Sequence, residues 1–300
     1  MRKLLRTVPL AFVVAFSISA TYAQKARQAQ SRAIPPAIFS VIDNGKTIEP
    51  IALVENGKLV IDDDRWANAG LAKNYYKPGT KYSLIFGGSP SGTVAVKRSN
   101  VGTECGGSSA DVTIQSARTK LSGFVMGLAT NLTVKAKAVG VRRLPTPAER
   151  TEIEALVHDE YRKNKVPASA NKQLHYYNLT AVDVDRDGKS EMVGSYWIAP
   201  GKDRRDLLFF IAEKGPLGKY TFTHSDYRAV TAKDLMSGDL RDLDTMGGEL
   251  LLDILDYDAD GASEIFTIER AFEGNNYHVY ARNGMQWTKV LDAYDYRCAY

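Results

Sequence analysis

The sequence predicts a mainly β fold. It has an amino-terminal antiparallel β domain, one bridging α-helix and a carboxy-terminal β unit made of two similar repeats. Three observations predict it. Asn-Gly dipeptides sit between apolar runs at Asn44-Gly45, Asn56-Gly57 and Asn283-Gly284, where a type I′ hairpin turn needs positive φ at both central residues. A single stretch, Thr146 to Tyr161, carries both a helix start signal and 3.6-residue apolar spacing. An acidic nine-residue loop occurs twice, 73 residues apart, each time followed by a β-branched and aromatic run.

Met1 to Ala23 reads as a secretory signal peptide. Arg2, Lys3 and Arg6 form a basic start, Val8 to Ala20 an apolar stretch, and Thr21-Tyr22-Ala23 a cleavage site before Gln24. The apolar stretch is shorter than the about 20 residues a spanning helix requires, so no membrane span is expected after cleavage. Of the 39 basic residues three belong to the signal, leaving 36 against 35 acidic ones. No basic run interleaved with aromatics is present, which argues against a nucleic-acid partner. Residues 24–36 are polar, basic and end in Ile34-Pro35-Pro36, a lead expected to be disordered.

From 37 to 140 short strands and turns alternate, with strands expected at Lys81–Phe86, Thr93–Lys97, Asp111–Gln115 and Leu132–Ala138 and a turn over Gly87–Gly92. Leu121 to Ala129 is too short for periodicity to separate strand from helix. Residues 141–174 form the bridge. Thr146 is a helix N-cap with Pro147 at the first position and Glu149 completing a capping box. Ile153, Leu156, Val157 and Tyr161 then share one face until Pro167 stops the run, so this helix should lay its stripe on a sheet.

Residues 175–300 contain the two loops. In the first, Asp183, Asp185, Asp187 and Glu191 occupy positions 1, 3, 5 and 9 with Gly188 at 6. In the second, Asp256, Asp258, Asp260 and Glu264 repeat those positions with Gly261 at 6. Four carboxylates crowded together repel one another unless a cation sits among them, and Ca2+ takes six to eight oxygen ligands with tolerant geometry. The alternating aspartates aim inward from a tight turn, and the backbone carbonyls of Lys189 and Ala262 face the same point. An EF-hand would need a bidentate glutamate at position 12, where Gly194 and Thr267 stand. The runs that follow, Met192–Ile198 and Ile265–Ile268, are those of strands. Each site is therefore strand–loop–strand.

These loops resemble the FG-GAP (VCBS-type) repeats of integrin α-subunits and many exported bacterial proteins, in which such a loop binds Ca2+ between two strands of a propeller blade. The resemblance covers roughly 175 to 300. It implies two calcium sites in a propeller-blade-like unit of two repeats, and a non-catalytic role. Two repeats are too few for the family's closed ring.

Asp206–Ala212 and Tyr220–Thr223 read as paired strands, and Tyr277–Val290 as a hairpin, so loop, strand and hairpin occur twice. Thr231–Gly248 reads as a solvated loop or short helix. The only cysteines, Cys105 and Cys298, fit a disulfide in an exported chain. In the chain-entropy model, closing about 190 residues adds up to roughly 5 kcal/mol.

His158, His175, His224 and His278 form no metal-ligand spacing, and the Gly-Ser stretches form neither a nucleophile elbow nor a phosphate loop. No catalytic residue is assigned. The sequence favours a secreted or periplasmic binding or scaffold protein, not an enzyme, with two structural Ca2+ sites and a protein or glycan partner at the cell envelope. The competing classes are a hydrolase with a non-local site in the amino-terminal domain and a purely structural subunit. Fifteen tyrosines follow Tyr22. They suit half-buried strands as well as they suit sugar or protein contact.

Overall fold

The computed structural model describes residues 34–61, 69–103, 107–134, 142–235, 239–271, 273–284 and 286–297. Residues from Pro35 onward form one compact unit. The described chain is mainly antiparallel β, with a six-stranded barrel and two further sheets.

The barrel takes β1 (Ala37–Ile42), β2 (Thr47–Glu55), β4 (Lys81–Ile85), β5 (Pro90–Ser99), β6 (Ala110–Gln115) and β7 (Gly127–Thr130). Their order is β1-β7-β4-β5-β6-β2, and β2 pairs back onto β1 to close the ring; β3 (Lys58–Val60) extends from β2. Alternate residues of β1 explain its position. Ala37, Phe39 and Val41 point into the barrel, which Tyr82, Leu84, Val94 and Val112 also fill, while Ile38 and Ile42 point out into a second apolar cluster. A short helix α1 (Ala69–Asn74) and the tyrosines after it bring Leu71, Tyr75 and Tyr76 into the interior, where Phe39 packs on Tyr75, Tyr76 and Tyr82.

Two four-stranded meanders follow. The first is β9 (His175–Val182), β10 (Glu191–Gly201), β11 (Arg204–Lys214) and β12 (Tyr220–Thr231), with β8 (Arg142–Arg143) added beside β9. The second is β13 (Glu249–Leu255), β14 (Glu264–Ala271), β15 (Gly274–Asn283) and β16 (Gln286–Tyr296). Between β8 and β9 run helices α2 (Pro147–Lys163) and α3 (Ala168–Asn171); between β12 and β13 lies α4 (Leu243–Met246).

Four layers result, each joined to the next by one apolar cluster. Ile153, Val157 and Tyr161 of α2 pack on Met192, Tyr196, Ile198, Leu208 and Phe210 of the first meander. Its opposite face, with Val193, Phe209 and Ile211, meets Leu251, Ile254, Ile265 and Tyr280 of the second. The far face of the second meander, with Leu250, Leu252, Phe266, Ile268 and Val279, meets the barrel. Each such side chain contributes about 1.5–3 kcal/mol on burial. Within the first meander Gly194 leaves room for its cross-strand partner, since a Cβ there would lie 2.5 Å from the Phe210 ring.

The junction between barrel and second meander is also polar. Buried Asp253 accepts the Gly87 N–H at 3.0 and 2.9 Å and lies 3.6 Å from Arg142, which donates to the carbonyls of Met126 and Leu252. Burial pushes the Asp253 carboxyl up to about 6, with the Arg142 charge opposing the rise. Fully buried Glu49 accepts from Asn275 at 2.8 Å and from the Tyr277 hydroxyl, and pairs with Arg297.

The capping box forms as the sequence predicts: Thr146 accepts from the Glu149 N–H at 3.2 Å, and Glu149 accepts from the Thr146 N–H at 2.8 Å. Asn56-Gly57 turns between β2 and β3 with φ of 53° and 70°. Four expectations change. Asn44-Gly45 lies in a longer turn in which Asp43, Asn44 and Gly45 all have positive φ. The turn predicted over Gly87–Gly92 ends sooner, because Pro90 opens β5, a place in a strand that tolerates a missing N–H. The last barrel strand is Gly127–Thr130, because pairing with β1 and β4 selects it; residues 131–134 form no strand, and 135–138 lie outside the described residues. β12 runs on to Thr231, since β11 offers it partners along its whole length. The described residues after it include a 3-10 turn, Leu240–Asp242, and α4.

Candidate functional site

The two acidic loops occupy equivalent places, between the first and second strands of each meander. They also lie side by side, because the Ser263 N–H of the second loop donates to the Val184 carbonyl of the first at 2.8 Å. In each loop one oxygen from each of the three aspartates falls within 4.8 Å of the others, in the sets Asp183, Asp185, Asp187 and Asp256, Asp258, Asp260.

The loops share one backbone. Position 4 is left-handed in both, at Arg186 (φ 62°) and Ala259 (φ 64°), and so is the glycine at position 6, at Gly188 (φ 82°) and Gly261 (φ 104°). Glycine accepts that conformation without steric cost. The hydrogen bonds repeat as well. Gly188 N–H donates to Asp183 Oδ2 at 3.1 Å and Gly261 N–H to Asp256 Oδ2 at 3.2 Å. The position-5 N–H groups of Asp187 and Asp260 donate to Asp185 and Asp258, each at 3.2 Å. Those of Lys189 and Ala262 donate to Asp187 at 2.7 Å and Asp260 at 2.8 Å.

What remains is oxygen without donors. Asp183, only 8% exposed, leaves Oδ1 buried with no hydrogen-bond partner, and Asp256 Oδ1 is in the same state. A buried carboxylate oxygen with no partner is costly, and hard-cation coordination is what such an oxygen suits. The donor set, carboxylate oxygens only, fits Ca2+ and not a soft metal.

Glu191 and Glu264 lie outside the two aspartate sets. Each anchors the start of its own loop, Glu191 Oε2 accepting the Val184 N–H at 3.0 Å and Glu264 Oε2 the Tyr257 N–H at 3.4 Å. Burial pushes their carboxyls up to about 7 and about 8 respectively. The Lys189 and Ala262 N–H groups face the aspartates through the bonds above; the sequence assigns their carbonyls to the ion.

The surroundings of the loops differ. Arg282 of β15 reaches the first loop, donating to Asp185 Oδ2 at 2.6 Å and to Glu213 at 2.6 Å, while Trp287 Nε1 donates to the other oxygen of Glu213 at 2.6 Å. Lys189 Nζ lies 2.8 Å from Asp187 Oδ2. Among the described residues no Lys, Arg or His forms an ion pair with Asp256, Asp258, Asp260 or Glu264. Sequence reasoning missed Arg282 and Glu213, and no local signal marks them: Arg282 stands 97 positions from Asp185.

Another polar cluster was missed. Buried Glu249 accepts from Thr267 at 2.5 Å and from Tyr280 at 2.8 Å, with His278 Nδ1 at 3.1 Å. Burial alone would raise its carboxyl; the bonds from His278, Thr267 and Tyr280 outweigh that and hold it below the usual value. Thr267 is fully buried, and His278 Nδ1, although close to Glu249, lacks a well-directed hydrogen bond, so the cluster is a buried polar network of the core.

Most described tyrosines are buried or half-buried, with Tyr75, Tyr76, Tyr161, Tyr196, Tyr277 and Tyr280 fully so. Tyr176, Tyr294 and Tyr296 are 52%, 54% and 57% exposed, the last two as neighbours on β16. Cys105 and Cys298 lie outside the described residues. No helix among the described residues is long and apolar enough to cross a membrane. Comparison of the chain with protein-family models, with curated proteins and with solved structures finds no match.

Proposed function

We propose that this protein is an exported calcium-binding module, secreted or periplasmic, acting as a non-catalytic binding or scaffold protein. The carrying observation is the pair of buried, unpartnered oxygens, Asp183 Oδ1 and Asp256 Oδ1, at the same position of two loops with one backbone. Asp183, Asp185 and Asp187 would hold one ion and Asp256, Asp258 and Asp260 the other, with the Lys189 and Ala262 carbonyls and Glu191 and Glu264 completing the shells. The ion would supply charge neutralisation, drawing together carboxylates that otherwise repel. In this reading the meanders are two blade-like units of the FG-GAP type, packed face to face between a helix and a barrel instead of closing a ring.

A partner of protein or glycan character suits the exposed Tyr294 and Tyr296 on edge strand β16. A histidine-dependent hydrolase site in the barrel is disfavoured, because all four histidines of the chain lie on α2, β9, β12 and β15. We also propose the Cys105–Cys298 disulfide. A Cβ on Gly107 would lie 2.8 Å from the Tyr296 carbonyl and 3.3 Å from Arg297 Cγ, so the chain just after Cys105 touches the chain just before Cys298.

Thermal unfolding of the oxidised protein without its signal tests the calcium reading. A hundredfold excess of Ca2+ over the dissociation constant should add about 2.7 kcal/mol per site relative to EGTA. An unchanged melting temperature would remove the proposal.

A further inference from the structure

The two loops match in backbone and in ligand type, yet their charges do not. Within the first loop Arg186 and Lys189 offset two of the four carboxylates, for a net charge of −2; the second loop has no basic residue and stands at −4. The fold adds a cation in direct contact with a ligand of the first loop. Arg282 enters from β15 of the other meander and places its guanidinium 2.6 Å from Asp185 Oδ2, a position-3 ligand of the first loop. Its second arm is held by Glu213, which Trp287 fixes in turn, so the cation is anchored from behind. At the equivalent place in the second loop, Asp258 faces the Asn56-Gly57 turn, where a Cβ on Gly57 would lie 3.8 Å from the Asp258 Cβ. Asn56 and Gly57 are uncharged, and the residues that flank them, Glu55 and Lys58, carry opposite charges.

We infer that Arg282 is a built-in counter-ion that makes the first loop the weaker, exchangeable calcium site, so that the two loops fill in order, the second before the first. The inference rests on the calcium reading and adds what that reading leaves undecided: which loop responds to changing calcium and which stays loaded. The physics is direct. Calcium affinity follows the charge count of the ligand set, and a fixed guanidinium beside one ligand both repels the incoming dication and competes for the oxygen. Calcium entering the first loop must displace or share Arg282, and so loosens the Arg282–Glu213–Trp287 chain that ties β15 and β16 to β11. The first loop thus connects ion level to the contact between the meanders.

Calcium titration by calorimetry, with ion count by native mass spectrometry, tests this on the full mature chain. Asp185→Ala leaves only the second loop and Asp258→Ala only the first; the second loop should bind at least about tenfold more tightly. Adding Arg282→Gln to Asp258→Ala should tighten the first loop about tenfold, while Arg282→Lys, which keeps the charge, should not. Adding Arg282→Gln to Asp185→Ala should leave the second loop unchanged, which also shows that the variant folds. A first loop as tight as the second, or one that Arg282→Gln weakens, overturns the inference while leaving the calcium reading intact. Failure of the wild-type protein to bind any ion overturns both.

Discussion

The two meanders carry the same loop, strand and hairpin in the same order, yet their outward neighbours differ, a helix for one and a barrel for the other. The first meander has α2 on one face and its sister on the other; the second lies between its sister and the barrel. The loops show the same contrast on a smaller scale, with one backbone and one set of internal hydrogen bonds, and a foreign guanidinium in the first only. The comparison teaches that nine residues suffice to shape a loop, whereas its charge environment comes from elsewhere in the chain.

The layer contrast predicts unequal costs for opening a cavity. Phe266 is fully buried in the middle layer, so Phe266→Ala should cost about 3–5 kcal/mol in denaturant unfolding. Ile153 lies on α2, a single helix that can settle onto the sheet; Ile153→Ala should cost about 2 kcal/mol, the low end for that change. Equal costs would show that the outer helix is as tightly locked as the middle sheet.

The contrast also appears in pH dependence, with opposite signs. On the barrel side, burial pushes the Asp295 carboxyl up to about 6, against hydrogen bonds from Ser108. Its native pKa therefore exceeds its unfolded one, so its contribution is full below about pH 4 and is lost as pH rises through 6. Asp295→Asn should flatten that fall by roughly 1–3 kcal/mol. On the helix side, the Arg143 hydrogen bond holds Glu149 down to about 2. Its contribution is present above its unfolded pKa and disappears as pH falls through 2, and Glu149→Gln should remove this smaller effect of a half-buried pair. Stability profiles from pH 2 to 8 of both variants check the two signs.

Much of the local structure was legible in advance, for reasons that stay within a few residues. Thr146, Pro147 and Glu149 specify a helix start because their groups satisfy the free N–H groups of the first turn. Asn56-Gly57 specifies a turn because both residues tolerate positive φ. Lys81–Ile85 and Ala110–Gln115 came out close to the strands expected. Where competing partners decided, local reading missed. The strand that pairs with β1 and β4 is Gly127–Thr130, and the described residues 131–134 form none. α1 has six residues and too little periodicity to stand out.

By itself the sequence determined the acidic loops, their repeat and the strands that bracket them, because carboxylate spacing and glycine freedom are properties of neighbouring residues. Only the tertiary structure decided that the sheet beginning at Ala37 closes into a barrel, that the two loops meet through Ser263 and Val184, and that Arg282 reaches Asp185. Those outcomes depend on which faces bury together, and burial rewards apolar area and charge pairing without regard to distance along the chain.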